Sequence, residues 1–158
     1  MATVKLPKTY LADTFLIVDD EPEHIDWLYN FILAKSIKID IAHNVEEAIN
    51  LAGESQYRAY IIDLNIPMGN WASNLFGVND VYEKYKGFYV LKYIRSQGNL
   101  GKNVSAYSSH YNQQIIAETK QLYCGYSSKD KVQEFKREIL NIISTPIGPH
   151  EILKSTMG

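Results

Sequence analysis

The chain alternates short apolar runs with stretches whose apolar residues recur at helical spacing. Thr14-Phe15-Leu16-Ile17-Val18 is short, almost wholly apolar and continuous, the pattern of a buried strand. Ile25, Leu28, Ile32 and Leu33 then share one face of a helix expected over residues 23–35, with Pro22 suited to its first turn. Ile37-Lys38-Ile39-Asp40-Ile41 alternates and predicts a second strand. Asn44 with Glu47 reads as a capping box, and Val45, Ala48, Ile49 and Ala52 give the helix behind it an apolar face. Residues 57–63 predict the third strand. Val90, Leu91 and Ile94 mark a third helix over residues 87–97, and Gly98 and Gly101 frame the turn after it. A fourth strand over residues 103–107, a more polar helix over 113–122 and a small fifth strand over 125–128 follow. Val132, Phe135, Ile139, Ile142 and Ile143 line a last helix, which Pro146 and Pro149 stop.

Strand and helix thus alternate five times. Right-handed crossovers then require an α/β fold, a doubly wound five-stranded parallel sheet with helices on both faces. Residues 1–12 read as an N-terminal leader, 13–144 as one domain and 145–158 as a C-terminal tail. Residues 68–86 interrupt the rhythm: they put about twenty residues between the third strand and its helix, where two to six are usual. This insertion holds Trp71, Phe76, Tyr82 and Tyr85 among Gly, Asn and Ser, and Asp80 with Glu83 suits the start of a short helix within it. It reads either as a tolerated surface insertion or as a lid or docking surface built from exposed aromatics.

The chemistry sits where the strands end. The first strand runs into Asp19-Asp20-Glu21, and the third ends on Asp63, followed by Leu64-Asn65-Ile66-Pro67. In an open α/β sheet the C-terminal strand ends are where ligands bind. If the two strands are neighbours, three carboxylates meet at one edge. Such a cluster repels itself unless a positive group joins it, and a hard divalent cation and a lysine are the natural candidates.

The bulk numbers narrow the partners. A chain of 158 residues fits one domain and can bury roughly 70% of its unfolded surface. The net charge is −2 and no basic run exists, which argues against direct nucleic-acid binding. No apolar stretch reaches the roughly 18 residues of a membrane span, and Met1-Ala2-Thr3 does not begin a signal peptide, so a cytoplasmic location is expected. The single cysteine, Cys124, has no partner for an internal disulfide and reads as a core thiol.

Four motifs stand in order along the chain: Phe15-Leu16-Ile17-Val18-Asp19-Asp20-Glu21-Pro22, Ile62-Asp63-Leu64-Asn65-Ile66-Pro67, Tyr107-Ser108-Ser109-His110 and Gly125-Tyr126-Ser127-Ser128-Lys129. With them the chain resembles the receiver domains of bacterial response regulators, across roughly residues 13–144 apart from the insertion. The resemblance implies a flavodoxin-like strand order, 2-1-3-4-5, and phosphorylation of an aspartate. It makes Asp63 the phosphoacceptor. Asp20 becomes a direct Mg²⁺ (or Mn²⁺) ligand and Asp19 a ligand through water, with the backbone carbonyl of Asn65 supplying a further oxygen. Mg²⁺ keeps several waters and uses few protein carboxylates, which suits this count. Lys129 pairs with the acids and then with the phosphoryl group. Ser108 is the hydroxyl switch, with Ser109 the small residue beside it, and Tyr126 is the aromatic switch. Glu21 and His110 are placed at the pocket rim.

The resemblance also implies a sensor histidine kinase or phosphotransfer protein as phosphodonor and a downstream protein as target. The face formed by the fourth helix (113–122), the fifth strand and the last helix is the expected site for partner binding or a homodimer. One departure stands out. The family usually follows its lysine with proline through a cis peptide bond, and this chain has Asp130.

The expected function is that of a two-component receiver that catalyses only its own phosphorylation and dephosphorylation. The alternative is a degenerate receiver used as a phosphorylation-independent protein-binding module. A Mg²⁺-dependent phosphohydrolase of the haloacid-dehalogenase type needs a second acid two residues after its aspartate, where Asn65 stands. A flavin-binding protein needs a phosphate loop after the first strand, where Asp19-Asp20-Glu21 would repel the phosphate.

Overall fold

The structure is a computed structural model, and it describes residues 8–70, 80–99 and 101–144. The strands are β1 (Thr9–Val18), β2 (Lys38–Ala42), β3 (Ser55–Asp63), β4 (Val104–Ser108) and β5 (Gly125–Ser128). The helices are α1 (Asp26–Leu33), entered through a 3₁₀ turn at Pro22–Ile25, then α2 (Val45–Glu54), α3 (Asp80–Lys84), α4 (Gly87–Ser96), α5 (Gln113–Gln121) and α6 (Val132–Ser144). All five strands are parallel, in the order β2-β1-β3-β4-β5. The expected fold class and strand order are therefore observed.

Phe15 to Val18 and Ala59 to Ile62 are almost wholly buried because both faces of a parallel sheet are covered by helices. Leu16, Val18, Tyr60 and Ile62 pack with Ala48 of α2 and Leu91 of α4 on one face. Phe15, Ile17, Ala59 and Ile61 pack with Leu28 of α1 and Phe135 of α6 on the other. In-phase registers, Val18 beside Ile62 and Asp63 beside Tyr107, bring the ends of β1, β3 and β4 to one edge.

β1 and the first helix differ in extent from the sequence reading. β1 begins at Thr9, not at residue 14, so residues 9–12 of the expected leader belong to the sheet. Thr9 to Leu11 pair with Ser55 to Tyr57 of β3, and the register shifts between Leu11 and Phe15. That irregularity breaks the alternation that would have marked them as strand. The first helix is shorter than residues 23–35 and starts as a tighter 3₁₀ turn behind Pro22.

The described part of the insertion is also not an exposed aromatic surface. Tyr82 and Tyr85 are 2% and 3% exposed and pack with Phe88 and Tyr89 of α4. Tyr82 donates a 2.5 Å hydrogen bond to Glu118 of α5. Trp71 and Phe76 lie outside the described residues, as does the 145–158 tail. Because α3 adds a helix, the expected interaction face is α5–β5–α6.

The predicted caps form at α2, where Asn44 Oδ1 accepts the Glu47 N–H at 2.8 Å and Glu47 reaches back to the His43 N–H. Asn112 caps α5 in the same way. Among the described residues no helix is long and apolar enough to cross a membrane.

Candidate functional site

Two turns with the same hydrogen bond shape the C-terminal edge of the sheet. After β1, Asp19 Oδ1 accepts the N–H of Glu21 at 2.8 Å. After β3, Asp63 Oδ1 accepts the N–H of Asn65 at 2.9 Å. Each aspartate thus folds its side chain over its own loop, as short polar side chains do in Asx turns, and both carboxylates are held toward the crevice between β1 and β3.

Oxygens of Asp19, Asp20 and Asp63 lie within 4.8 Å of one another. Asp19 and Asp63 are each 1% exposed, while Asp20 is exposed at the mouth. Lys129 follows β5 and reaches across β4. Its Nζ is 2.9 Å from Asp63 Oδ2 and 3.8 Å from Asp19 Oδ2. Among the described residues no peptide bond is cis, so the Lys129–Asp130 bond is trans and the lysine still reaches the acids. α6 begins at Val132, which leaves Asp130 one residue short of its cap position.

These groups line a cleft of about 510 Å³ together with Glu21, His24, Trp27, Asn65, Ser109 and Asp130. Burial raises the Asp63 carboxyl to about 6, with the Asn65 N–H and Lys129 opposing the rise and Asp19 adding to it. Asp20 is also raised, by partial burial and then by the charge of Asp19. The donor set fits a hard divalent cation: every available ligand atom is an oxygen, and the cluster carries more negative charge than one lysine neutralises.

The remaining expected residues are placed as follows. Ser108 is fully buried, and its Oγ accepts the N–H of His110 at 2.9 Å; Ser109, not Ser108, stands on the cleft wall. Asn65 lines the cleft, and its Nδ2 lies 3.1 Å from Nδ1 of His110, which is itself exposed just outside. Tyr126 is half-buried and donates its hydroxyl to the carbonyl of His110. Glu21 turns toward the helix, with Oε2 2.7 Å from Nδ1 of His24. Cys124 is free and half-buried, and burial raises its thiol, which fits an inert role.

Sequence reasoning missed Tyr107. In the sequence it stands as a strand residue beside the serines. The structure buries it completely and points its hydroxyl at the acids, donating to Asp19 Oδ2 at 2.5 Å. Lys129 Nζ lies 5.2 Å from the centre of its ring. Burial, and then the negative charge of Asp19, push this phenol well above its ordinary range, so it remains a donor. A signal was present: a fully buried tyrosine needs a partner for its hydroxyl, and the strand it ends leads to an edge rich in carboxylates.

No protein-family model matches the chain, and no curated protein does. Solved structures do match. A two-component response regulator from Clostridium difficile aligns at TM-score 0.63 and 20% identity, over 83% of this chain and 95% of that one. The non-phosphorylated HemR receiver domain from Leptospira biflexa aligns at TM-score 0.65 and 17% identity, over 85% of this chain and 97% of that one.

The fold is that of a receiver domain.

A third structure with the receiver fold is a response regulator protein from Burkholderia pseudomallei, solved with a phosphorylated aspartic acid, a calcium ion and citrate. It aligns at TM-score 0.57 and 15% identity, over 85% of this chain and 76% of that one. The receiver fold puts the C-terminal ends of β1 and β3 side by side at the point where the strand order reverses, which is the crevice that Asp19, Asp20 and Asp63 occupy here.

Proposed function

We propose that the chain is a two-component receiver that accepts a phosphoryl group from a phosphohistidine onto Asp63 and thereby switches protein–protein contacts. One observation carries the reading: at the receiver crevice, Asp63 is buried against Lys129 at 2.9 Å with the oxygens of Asp19 and Asp20 close by. The Burkholderia protein, solved with a phosphorylated aspartic acid and a calcium ion, supports the reading by analogy.

The residues divide the work. Asp20, Asp63, Asp19 and the backbone carbonyl of Asn65 would hold Mg²⁺ or Mn²⁺. When bound, the cation neutralises charge on the transferring phosphoryl oxygens. Asp63 is the nucleophile: a carboxylate oxygen forms a bond to phosphorus as the N–P bond of phosphohistidine breaks, and that electron pair returns to the imidazole nitrogen. The Asn65 N–H fixes one carboxylate oxygen and Lys129 orients the other. Lys129 then pairs with the phosphoryl group, as a flexible point charge can.

Ser108 and Tyr126 both bond to residue His110, so a phosphoryl group that draws in the Ser108 hydroxyl perturbs the loop before α5. That loop borders the α5–β5–α6 face, where a downstream protein or a second copy would bind. Asn65 and His110 at the rim govern water access to the acyl phosphate. The protein would turn over only its own phosphoryl group, in the cytoplasm where its kinase or phosphotransfer partner works.

The test is intact-mass measurement after incubation with acetyl phosphate. With Mg²⁺ one phosphoryl group is expected, and none with a chelator or in Asp63→Asn. No adduct, with Mg²⁺ binding also absent, would instead leave a phosphorylation-independent binding module. Sustained phosphate release from varied esters would point to a hydrolase.

A further inference from the structure

We propose that Tyr107 is a positioning residue that partly takes the place of the cation at Asp19, holding the acidic cluster together while no metal is bound and thereby weakening the affinity for Mg²⁺. This rests on the reading of the crevice as a divalent-cation site.

Asp19 is buried, and its two oxygens are both engaged. Oδ1 accepts the Glu21 N–H at 2.8 Å, and Oδ2 accepts the Tyr107 hydroxyl at 2.5 Å. Lys129 is committed elsewhere: its Nζ is 2.9 Å from Asp63 but 3.8 Å from Asp19. The positive end of the phenol dipole is therefore the side-chain donor that meets Asp19. The ring cannot drift, because it packs on Phe135 with centroids 5.3 Å apart and its strand is hydrogen-bonded on both sides. Lys129 over the same ring adds a second positive neighbour whose place Tyr107 helps to fix.

A hydrogen bond to a carboxylate is strongest while that carboxylate keeps its full charge. A dication in the crevice shares the charge of Asp19, so the phenol stabilises the empty cluster more than the filled one. Removing the hydroxyl should then raise the free energy of the metal-free protein most, and Mg²⁺ should bind more tightly. A phenol that merely preorganised Asp19 for the metal would give the opposite sign. A phenol that only filled space would give no change in affinity.

The experiment compares wild type with Tyr107→Phe, which keeps the ring. Mg²⁺ binding is followed by Trp27 fluorescence, since Trp27 lines the cleft, and by the Mg²⁺-induced rise in Tm. The variant is expected to bind Mg²⁺ more tightly by about tenfold, the lower end of what a charge-assisted hydrogen bond is worth. Its Tm should fall most without metal and recover with Mg²⁺. In an Asp19→Asn background the same change should leave Mg²⁺ affinity unaltered.

Weaker or unchanged Mg²⁺ binding in Tyr107→Phe, with a loss of Tm at least as large with Mg²⁺ as without it, overturns the proposal and leaves the cation site intact. Absence of Mg²⁺ binding by the wild type instead overturns the cation-site reading, and this inference with it. If Tyr107→Phe does not fold even with Mg²⁺, 3-fluorotyrosine placed at position 107 decides, because it keeps the ring and makes the hydroxyl a stronger donor: weaker Mg²⁺ binding than wild type supports the proposal, and tighter or unchanged binding overturns it.

Discussion

Asp63 combines two demands that oppose each other. Burial favours its neutral form, while a nucleophile and metal ligand must be ionised. Lys129 at 2.9 Å and the Asn65 N–H offset only part of the cost, and the carboxyl remains raised from 3.8 to about 6. The folded protein therefore holds this proton more tightly than the unfolded chain. Metal-free stability from this group is present below about pH 4 and is lost as pH rises through about 6.

Asp63→Asn lacks that titration. Its stability minus that of the wild type should grow by about 2–3 kcal/mol between pH 4 and pH 7 in chelator, as two pKa units require. Urea unfolding at several pH values measures this, and a flat difference would contradict it. Saturating Mg²⁺ should shrink the gap, because the cation favours the ionised wild type. At this scale the apolar runs ending at Asp19-Asp20 and at Asp63 marked the three acids, while Lys129, behind the polar run Gly125-Tyr126-Ser127-Ser128, came from the family resemblance. The sequence could not show Tyr107 as a partner of Asp19, because a strand pattern does not tell which residue at its end turns a polar tip toward the acids.

Among the elements, the join between β3 and α4 controls the site most directly. The N-terminus of α4 is pressed onto the end of β3, with Gly87 N–H donating to the carbonyl of Leu64 at 3.1 Å. A methyl group on Gly87 would fall 2.3 Å from the carbonyl oxygen of Asp63 and 2.7 Å from Cα of Leu64, so backbone would have to move. Gly87→Ala should therefore destabilise the fold by about 1–3 kcal/mol, the usual cost of overpacking, although alanine is the better helix former. It should also weaken Mg²⁺ binding by displacing Asp63. Denaturant midpoints with and without Mg²⁺ report both effects; a more stable variant would show that the contact is not tight.

The same join explains what the sequence hid. The apolar periodicity of α4 was plain, but its close approach to Asp63 was not. Tyr82 of α3 and Tyr85 just after it stand among polar residues and read as surface, yet both are buried against Phe88 and hydrogen-bond with Glu118 and Asn112 of the α5 region. Their burial depends on α5 and α4 arriving from elsewhere in the chain, which local pattern cannot encode.

For the whole molecule, the order of strands decides everything downstream. Five short strand-like runs alternating with helices set the class of fold, and right-handed crossovers limited the topologies. The 2-1-3-4-5 order came from the motifs and is observed. It sets β1 beside β3 and so gathers charges from residues far apart in the chain. It also places Lys129, at the end of β5, on the far side of the crevice from Asp20. Phosphorylation can bias the α5–β5–α6 face only if partners bind one state of the loop at His110 better than the other.

The central claim is that the side chain of residue 63 receives the phosphoryl group. Borohydride reduction of protein treated with Mg²⁺ and acetyl phosphate, followed by peptide mass analysis, tests it directly, because an aspartyl phosphate is reduced to homoserine. The account predicts homoserine at position 63 alone, dependent on both Mg²⁺ and donor. Homoserine at Asp19 or Asp20, or a phosphoryl group retained on a serine or histidine, would contradict it.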